Sequence, residues 1–439
     1  MSWRLLKQVP KLAVALGVVI TSTVLFGIWW HFWSPKKHEA SVNQDVAVNA
    51  QREAKAAQMA PRMDRFILAG NDLIDIDSGE VVAANWLKGE QPLKLMFDSA
   101  SSKVIARFDR GFKRYNLDGS EDAVLGRNNG LIISDDMDLA IFANQGDVWK
   151  AGIDWSGFKL TGEARATSIG GFQENYFVQN LVLASKSALV VRNMNQLVRV
   201  NLGSGEVAPL PLTITDAAVR RSPDGGVFMG DQTGAGGTTL YAFDVATGQV
   251  KTKELGGQTG VTGVLWLDKD RCCILVNAQF IVMYDRAKGS FEEHMKLPAR
   301  IVQMALPSPS KRFVVALGDG SAGFVDLEKK DVIPLTAAAQ NLDWIDDDAV
   351  IMANTTMDSN QRGTWVMKLG QKPNRVSTEP YPFADSGKGC VLALKQAGLV
   401  IFGTQNALFK MNLGGTDAVK FANLQRPVMR LQPIEKWKS

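Results

Sequence analysis

The sequence predicts an all-β fold: a β-propeller of four-stranded blades carried behind a single N-terminal transmembrane helix. Three observations point there. A polar residue followed by a short turn recurs nine times between Asp75 and Asn412, at intervals of 38 to 47 residues. Most of each interval is made of short runs rich in β-branched and aromatic residues, divided by two polar turns. Ahead of the repeats, residues 12–33 form a 22-residue apolar run whose one ionisable group is His31.

That run is long enough to cross a bilayer, because a helix rises ~1.5 Å per residue against a hydrocarbon core of ~30 Å. Trp29, Trp30 and Trp33 gather at its end, where indole rings prefer the headgroup zone, and Lys36 and Lys37 stop it. These five are the expected membrane-interface residues. A cleavable signal peptide would have an apolar stretch of only ~7–15 residues ending in small side chains, so an uncleaved anchor is expected. Residues 1–11 form a short tail carrying Arg4, Lys7 and Lys11. The positive-inside rule then keeps this tail in the cytoplasm and places the propeller outside, on the periplasmic face of a bacterial inner membrane. Residues 34–62 lack a core pattern; Ala, Gln and Glu between positions 51 and 60 make them a partly helical spacer. The propeller is assigned to residues 63–435.

Charge divides along the same line. Residues 1–62 hold eight Lys/Arg against three Asp/Glu, whereas residues 63–439 hold 41 against 42. The large part of the chain has no excess charge with which to hold a polyanion, which argues against nucleic-acid binding. With Cys 3 in the whole sequence, a disulfide framework is excluded and the core must come from burial.

Within the repeat, the aligned polar position falls at Asp75, Asn116, Asp154, Asn201, Asp244, Asp285, Asp326, Lys368 and Asn412. A second hairpin precedes it in each period, with turns at Ser134, Ser222, Leu267, Ser308 and Ile345. Four-stranded units of ~40–45 residues are propeller blades: each has two apolar faces that it cannot bury alone, and a closed ring stacks it between neighbours. Nine copies against the usual four to eight blades give an expected count of eight or nine. The first copy starts at Phe66 without an inner strand, and the chain ends in an unpartnered apolar strand at residues 428–434. These two fragments are expected to complete one blade and close the ring.

The repeat resembles the broad WD40-like and quinoprotein-like classes. Residues 222–225 (Ser-Pro-Asp-Gly) are similar to their inner-hairpin turn, and residues 242–250 (AFDVATGQV) to the Ala-x-Asp-x-x-Thr-Gly core of a quinoprotein repeat. No copy ends in Trp-Asp, and Thr252 stands where the quinoprotein repeat has Trp. The resemblance implies the fold and carries no activity with it.

Tested for chemistry, the motifs resolve into turns and packing. His31 and His38 lie beside the membrane and His294 stands alone in an outer strand, so no Ser-His-Asp, Cys-His or zinc arrangement is assembled. Asp135, Asp136 and Asp138, and Asp346 to Asp348, fall in inner turns, where Asp bonds nearby backbone NH groups. Asn116, Asp118, Ser120 and Asp122 mimic a calcium loop but lack its Gly and its closing Glu. Cys272 and Cys273 are adjacent; some quinone-dependent propellers use such a pair as a vicinal disulfide, and the plain alternative is two small side chains on opposite faces of a blade. The glycines at 234–237 fit no phosphate loop and read as an extended loop. Asn354-Thr355-Thr356 is a glycosylation sequon only in a eukaryotic extracytoplasmic setting. Trp266 and Trp344 match in position and suggest blade packing.

These observations predict a membrane-anchored propeller that binds proteins through its loops as a scaffold or assembly subunit of an envelope complex, with no catalytic residues, metal or cofactor. Two alternatives stay open. One is an enzyme with carboxylate or quinone chemistry in the central channel; the other is an adaptor facing the cytoplasm.

Overall fold

The structure is a computed structural model. It describes Ala50, Ala54 and residues 57–437, except 109, 128–129, 135, 170–180, 186–187, 194–195, 214–219, 235, 246, 257–259, 305–311, 320, 336–339, 346–348, 355–359, 361, 380–389, 405, 416, 425–427 and 429. The anchor expected at residues 12–33, with Trp29, Trp30, Trp33, Lys36 and Lys37, lies outside the described residues. Among those described, no helix is long and apolar enough to cross a membrane. The chain divides into two compact units, 1–62 and 63–439. A 3-10 helix, Ala60–Arg65, leads into the first strand, Phe66–Ala69.

The second unit is all-β and propeller-like. Among the described residues there are seven separate four-stranded sheets and one eight-stranded sheet, and the larger one is two four-stranded units joined edge to edge. We number the nine units as blades in chain order. Blade 1 takes three strands from residues 66–83 and its inner strand, Leu431–Lys436, from the C-terminus. Blades 2 to 9 occupy residues 94–126, 132–168, 181–213, 220–255, 261–296, 301–335, 340–377 and 391–423.

The aligned polar residue earns its place in the turn between the third and fourth strands. Its side-chain oxygen accepts from backbone NH groups two or three residues on: Asp75 from Asp77, Asp154 from Gly157, Asn201 from Gly203, Asp244 from Thr247, Asp285 from Lys288 and Asp326 from Glu328, all at 2.8–3.1 Å. This replaces hydrogen bonds that the reversing backbone can no longer make to itself. In each of these turns the residue four positions on is left-handed: Gly79, Gly205, Gly248 and Gly289 at φ of +77°, +75°, +72° and +59°, and Phe158 and Lys330 at +52° and +54°. The inner turns use Ser. The Ser134 and Ser222 hydroxyls each donate to an Asp two residues on and accept from the NH that opens the next strand.

Apolar clusters fill the spaces between neighbouring blades. One joins blades 8, 9 and 1 through Ile351, Val400 and Ile74; another joins blades 5 and 6 through Met229, Leu240 and Ile274. The corresponding clusters link blades 2 and 3, 3 and 4, 4 and 5, 6 and 7, and 7 and 8.

The ends of the unit meet in one strand. Leu431–Lys436 pairs antiparallel with Phe66–Ala69, matching Leu68 to Gln432, and on its other edge runs parallel to Lys94–Asp98 of blade 2, matching Ile434 to Leu95. The parallel pairing has no signature in the repeat. Trp437 then continues past blade 2 and meets Trp155 of blade 3 edge-on, with ring centroids 4.9 Å apart. Residues 234–237 differ from the extended loop expected of them. Strands Val227–Gly234 and Gly237–Asp244 pair as far as Gly234 and Gly237, where Thr233 and Thr238 face each other and share a 3.0 Å hydroxyl bond.

Candidate functional site

Cys272 and Cys273 are free, buried and on opposite faces of blade 6. Cys272 packs with Val227 and Met229 of blade 5, and Cys273 with Phe313 and Val315 of blade 7. Burial pushes the Cys273 thiol up to about 12 and the Cys272 thiol well above its ordinary value, which keeps both protonated and poorly nucleophilic. Cys390 is likewise buried and raised to about 12. No disulfide lies ready for a quinone here.

The acidic motifs are occupied by the protein itself. Burial works against the Asp122 carboxylate, yet bonds from Arg114 and Lys103 hold it below the usual carboxylate range. Asp118 accepts from the Ser120 amide and hydroxyl. Asp136 and Asp224 serve the inner-turn serines, while Asp135 and residues 346–348 lie outside the described residues. Among the described residues no His, Cys, Asp and Glu group has metal-binding geometry.

A recurring use of basic and aromatic side chains emerges instead. The carbonyl just after the aligned polar residue accepts a donor from the preceding blade or its exit loop. Lys410 Nζ donates to the Ile76 carbonyl (3.0 Å), Trp86 Nε1 to Leu117 (2.9 Å) and Lys150 Nζ to Leu202 (2.6 Å). Arg114 reaches Ser156, one residue later, at 3.1 Å. His294 belongs to this set, with Nε2 2.6 Å from the Leu327 carbonyl of blade 7. It sits at a register shift in its outer strand, and the bulge turns the ring toward the next blade. Trp266 packs into the cluster between blades 5 and 6, and Trp344 into the one between blades 7 and 8.

What remains open is a groove between blades 5 and 6. It holds about 440 Å³ and is lined by Leu255 from the outer strand of blade 5 and by Val276, Phe280, Val282, Met295 and Lys296 of blade 6. Phe280 is 41% exposed at its mouth, and Lys296 Nζ lies 5.4 Å from the centre of that ring. The turn before Phe280 is fixed: the Asn277 NH donates to the Gly260 carbonyl, the Gly260 NH donates back to Asn277 Oδ1, and the Ala278 NH donates to Thr262 Oγ1. Asn277 and Ala278 both take positive φ, +52° and +55°, the geometry of a tight hairpin turn. A non-glycine residue pays strain there, and Ala278 is such a residue. The Ile301 NH donates to the Ala278 carbonyl at 2.7 Å, holding the inner strand of blade 7 against this turn. Its neighbour Val302 is 68% exposed. Sequence reasoning missed the groove, since Phe280 reads as one more aromatic in a strand. A second cavity of about 370 Å³ lies between blades 3 and 4 beneath the Lys150 bond to Leu202.

No protein-family model matches the chain, and no curated protein matches it in sequence. Among solved structures it is similar to the C-terminal WD40 domain of Sif2, at 10% identity over 64% of this chain and 82% of that one, with a TM-score of 0.39. It is similar to Kluyveromyces lactis Hsv2p at 11% identity over 65% and 99%, with a TM-score of 0.36. For Porphyromonas gingivalis dipeptidyl peptidase 4 the values are 9%, 76%, 59% and 0.46. These are distant likenesses, and the propeller assignment stands on the chain's own blades.

Proposed function

We propose that the chain is a single-pass membrane protein whose propeller binds other proteins, as a scaffold or assembly subunit of an envelope complex on the extracytoplasmic side. The observation that carries this is the groove between blades 5 and 6. An exposed aromatic and a side-chain-sized apolar opening stand on a frame whose blades are latched to one another. Apolar openings of this kind, rimmed by polar residues, mark contact sites. The anchor rests on the apolar run at residues 12–33 and its Trp and Lys boundary. In this reading the chain catalyses no chemical step.

Affinity purification of the full chain in detergent, followed by mass spectrometry, tests the proposal. A stoichiometric protein partner is expected; a chain that purifies alone or with a bound cofactor refutes it. Protease accessibility in spheroplasts, with the outer membrane opened and the inner membrane sealed, tests the orientation, and cleavage of the propeller only after lysis would reverse it.

A further inference from the structure

We infer that the groove between blades 5 and 6 takes an acidic protein segment with one large apolar side chain, a specificity that rests on the scaffold reading. Two features fix the chemistry of the occupant. The first is shape: Leu255, Val276, Val282 and Met295 line a recess of about 440 Å³, and Phe280 stands exposed at its edge. A cavity on this scale accepts one aromatic or long aliphatic side chain with room for adjoining backbone, the usual form of a binding anchor.

The second is charge. Most ionic groups of blade 6 are already paired. Glu293, the groove's one acidic lining residue, meets Lys253 of blade 5 at 3.4 Å. Glu292 meets Lys330 of blade 7, Arg271 meets Asp268, Lys288 meets Asp285, and Arg286 bridges Asp224 and Asp244. Lys296 and Arg300 have no carboxylate partner among the described residues. Lys296 rests over Phe280, and Arg300 is exposed, with its carbonyl held by the Gly318 NH on the segment that runs beside the turn at Ala278. One unpaired cation, Lys296, therefore stands at the apolar anchor point, and a second, Arg300, lies on the segment beside the turn that carries Phe280. A segment with Asp or Glu flanking a Leu, Phe or Trp complements both, whereas a basic segment meets repulsion. An anionic membrane surface would satisfy the charges but not fill the recess, and blades with no net positive balance give it little hold.

The test uses the full-length chain in detergent and fluorescently labelled short peptides. Each carries one Trp among Asp and Glu residues; counterparts have Lys in place of the acids or Ala in place of Trp. Anisotropy should show binding of the acidic Trp peptide at low salt, weakened at least about tenfold by losing the Trp and again by replacing Asp and Glu with Lys. Phe280→Ala should weaken it by about tenfold, and the double variant K296E/R300E should reverse the preference toward the basic peptide. All three side chains are at the surface, so circular dichroism should report unchanged folding. Equal binding of acidic and basic peptides, or displacement of the acidic peptide by anionic phospholipid added to the detergent micelles, overturns the inference. If a protein partner co-purifies with the full chain but stays bound to K296E/R300E and to Phe280→Ala, the groove assignment fails while the scaffold reading stands. If no partner co-purifies, it is the scaffold reading that fails.

Discussion

Removing the C-terminal strand should destabilise the whole propeller. Truncation after Gln425 takes away Val428, Leu431 and Ile434, all buried, and the Gln432 amide that donates to the Pro92 carbonyl. It also strips one edge from Phe66–Ala69 and one from Lys94–Asp98. The size of the effect can be bounded from below. Leu431→Ala or Ile434→Ala alone empties a packed site and should cost about 2–4 kcal/mol. A domain is stable by only about 5–15 kcal/mol, so the truncation, which loses both and more, should remove a large share of that. It should also change the form of the transition. With the seam intact each blade is stacked between two others; with it gone, blades 1 and 9 become ends from which unfolding can spread. Urea unfolding followed by far-UV circular dichroism and tryptophan fluorescence should show an earlier and broader transition, with the two signals no longer coinciding. Val419→Ala, at an exposed position in the outer strand of blade 9, serves as the control and should stay within about 0.5 kcal/mol. A truncated chain unfolding at the same urea concentration as the intact one would refute the reasoning, as would Leu431→Ala costing no more than the control.

Three further outcomes are expected. Alkaline carbonate should leave the full-length chain in the membrane pellet, while deletion of residues 1–33 should release a folded β-rich domain; extraction of the intact chain would sink the anchor. Replacing Cys272, Cys273 and Cys390 by Ala together with His294→Gln should lower stability without abolishing partner binding, since these side chains pack and latch; loss of a defined activity in a folded variant would contradict that. Arg286→Met should cost about 1–2 kcal/mol at neutral pH, because it breaks a half-buried bridge from blade 6 to Asp224 and Asp244 of blade 5. Both carboxyls are held below their ordinary range: burial opposes the shift, hydrogen bonds from Ser222 and the Gly226 NH to Asp224 and from Thr247 to Asp244 lead it, and Arg286 adds to it at both. Stability from such groups is present above the unfolded carboxylate pKa and lost as pH falls through the folded one. The gap between wild type and variant in urea unfolding should therefore close below about pH 4, and a gap independent of pH would count against the bridge.

The blades were legible in the sequence because the turn between third and fourth strands needs a particular side chain. Asp75, Asn201, Asp244 and Asp326 recur since each must supply an oxygen to an NH that faces no strand partner. The inner strand missing before Phe66 was also readable, as a gap in the count. Its second neighbour was not: the parallel contact between Ile434 and Leu95 depends on how closely the inner strands of blades 1 and 2 approach, which no local pattern records. The turn at 234–237 was misjudged for a related reason. Four residues rich in Gly suggest slack, yet the ladder, with Thr233 paired to Thr238, runs as far as Gly234 and Gly237.

The latches between blades were invisible for a different reason, and it bears on where binding can evolve. Their acceptor is a main-chain carbonyl, present whatever the residue, so only the donor leaves a trace. The donor varies from Lys150 and Lys410 to Trp86 and His294, in strands or in the loop between blades. A contact that many residue types can make holds the frame while the sequence drifts. The other end of each blade, where the second and third strands turn, takes no part in these side-chain latches. At blade 6 that end presents Phe280 on a turn pinned by Gly260 and Thr262. Rigidity supplied by one set of turns thus leaves the opposite set room to carry specificity, and at blade 6 that set includes the left-handed Asn277 and Ala278 beside the groove.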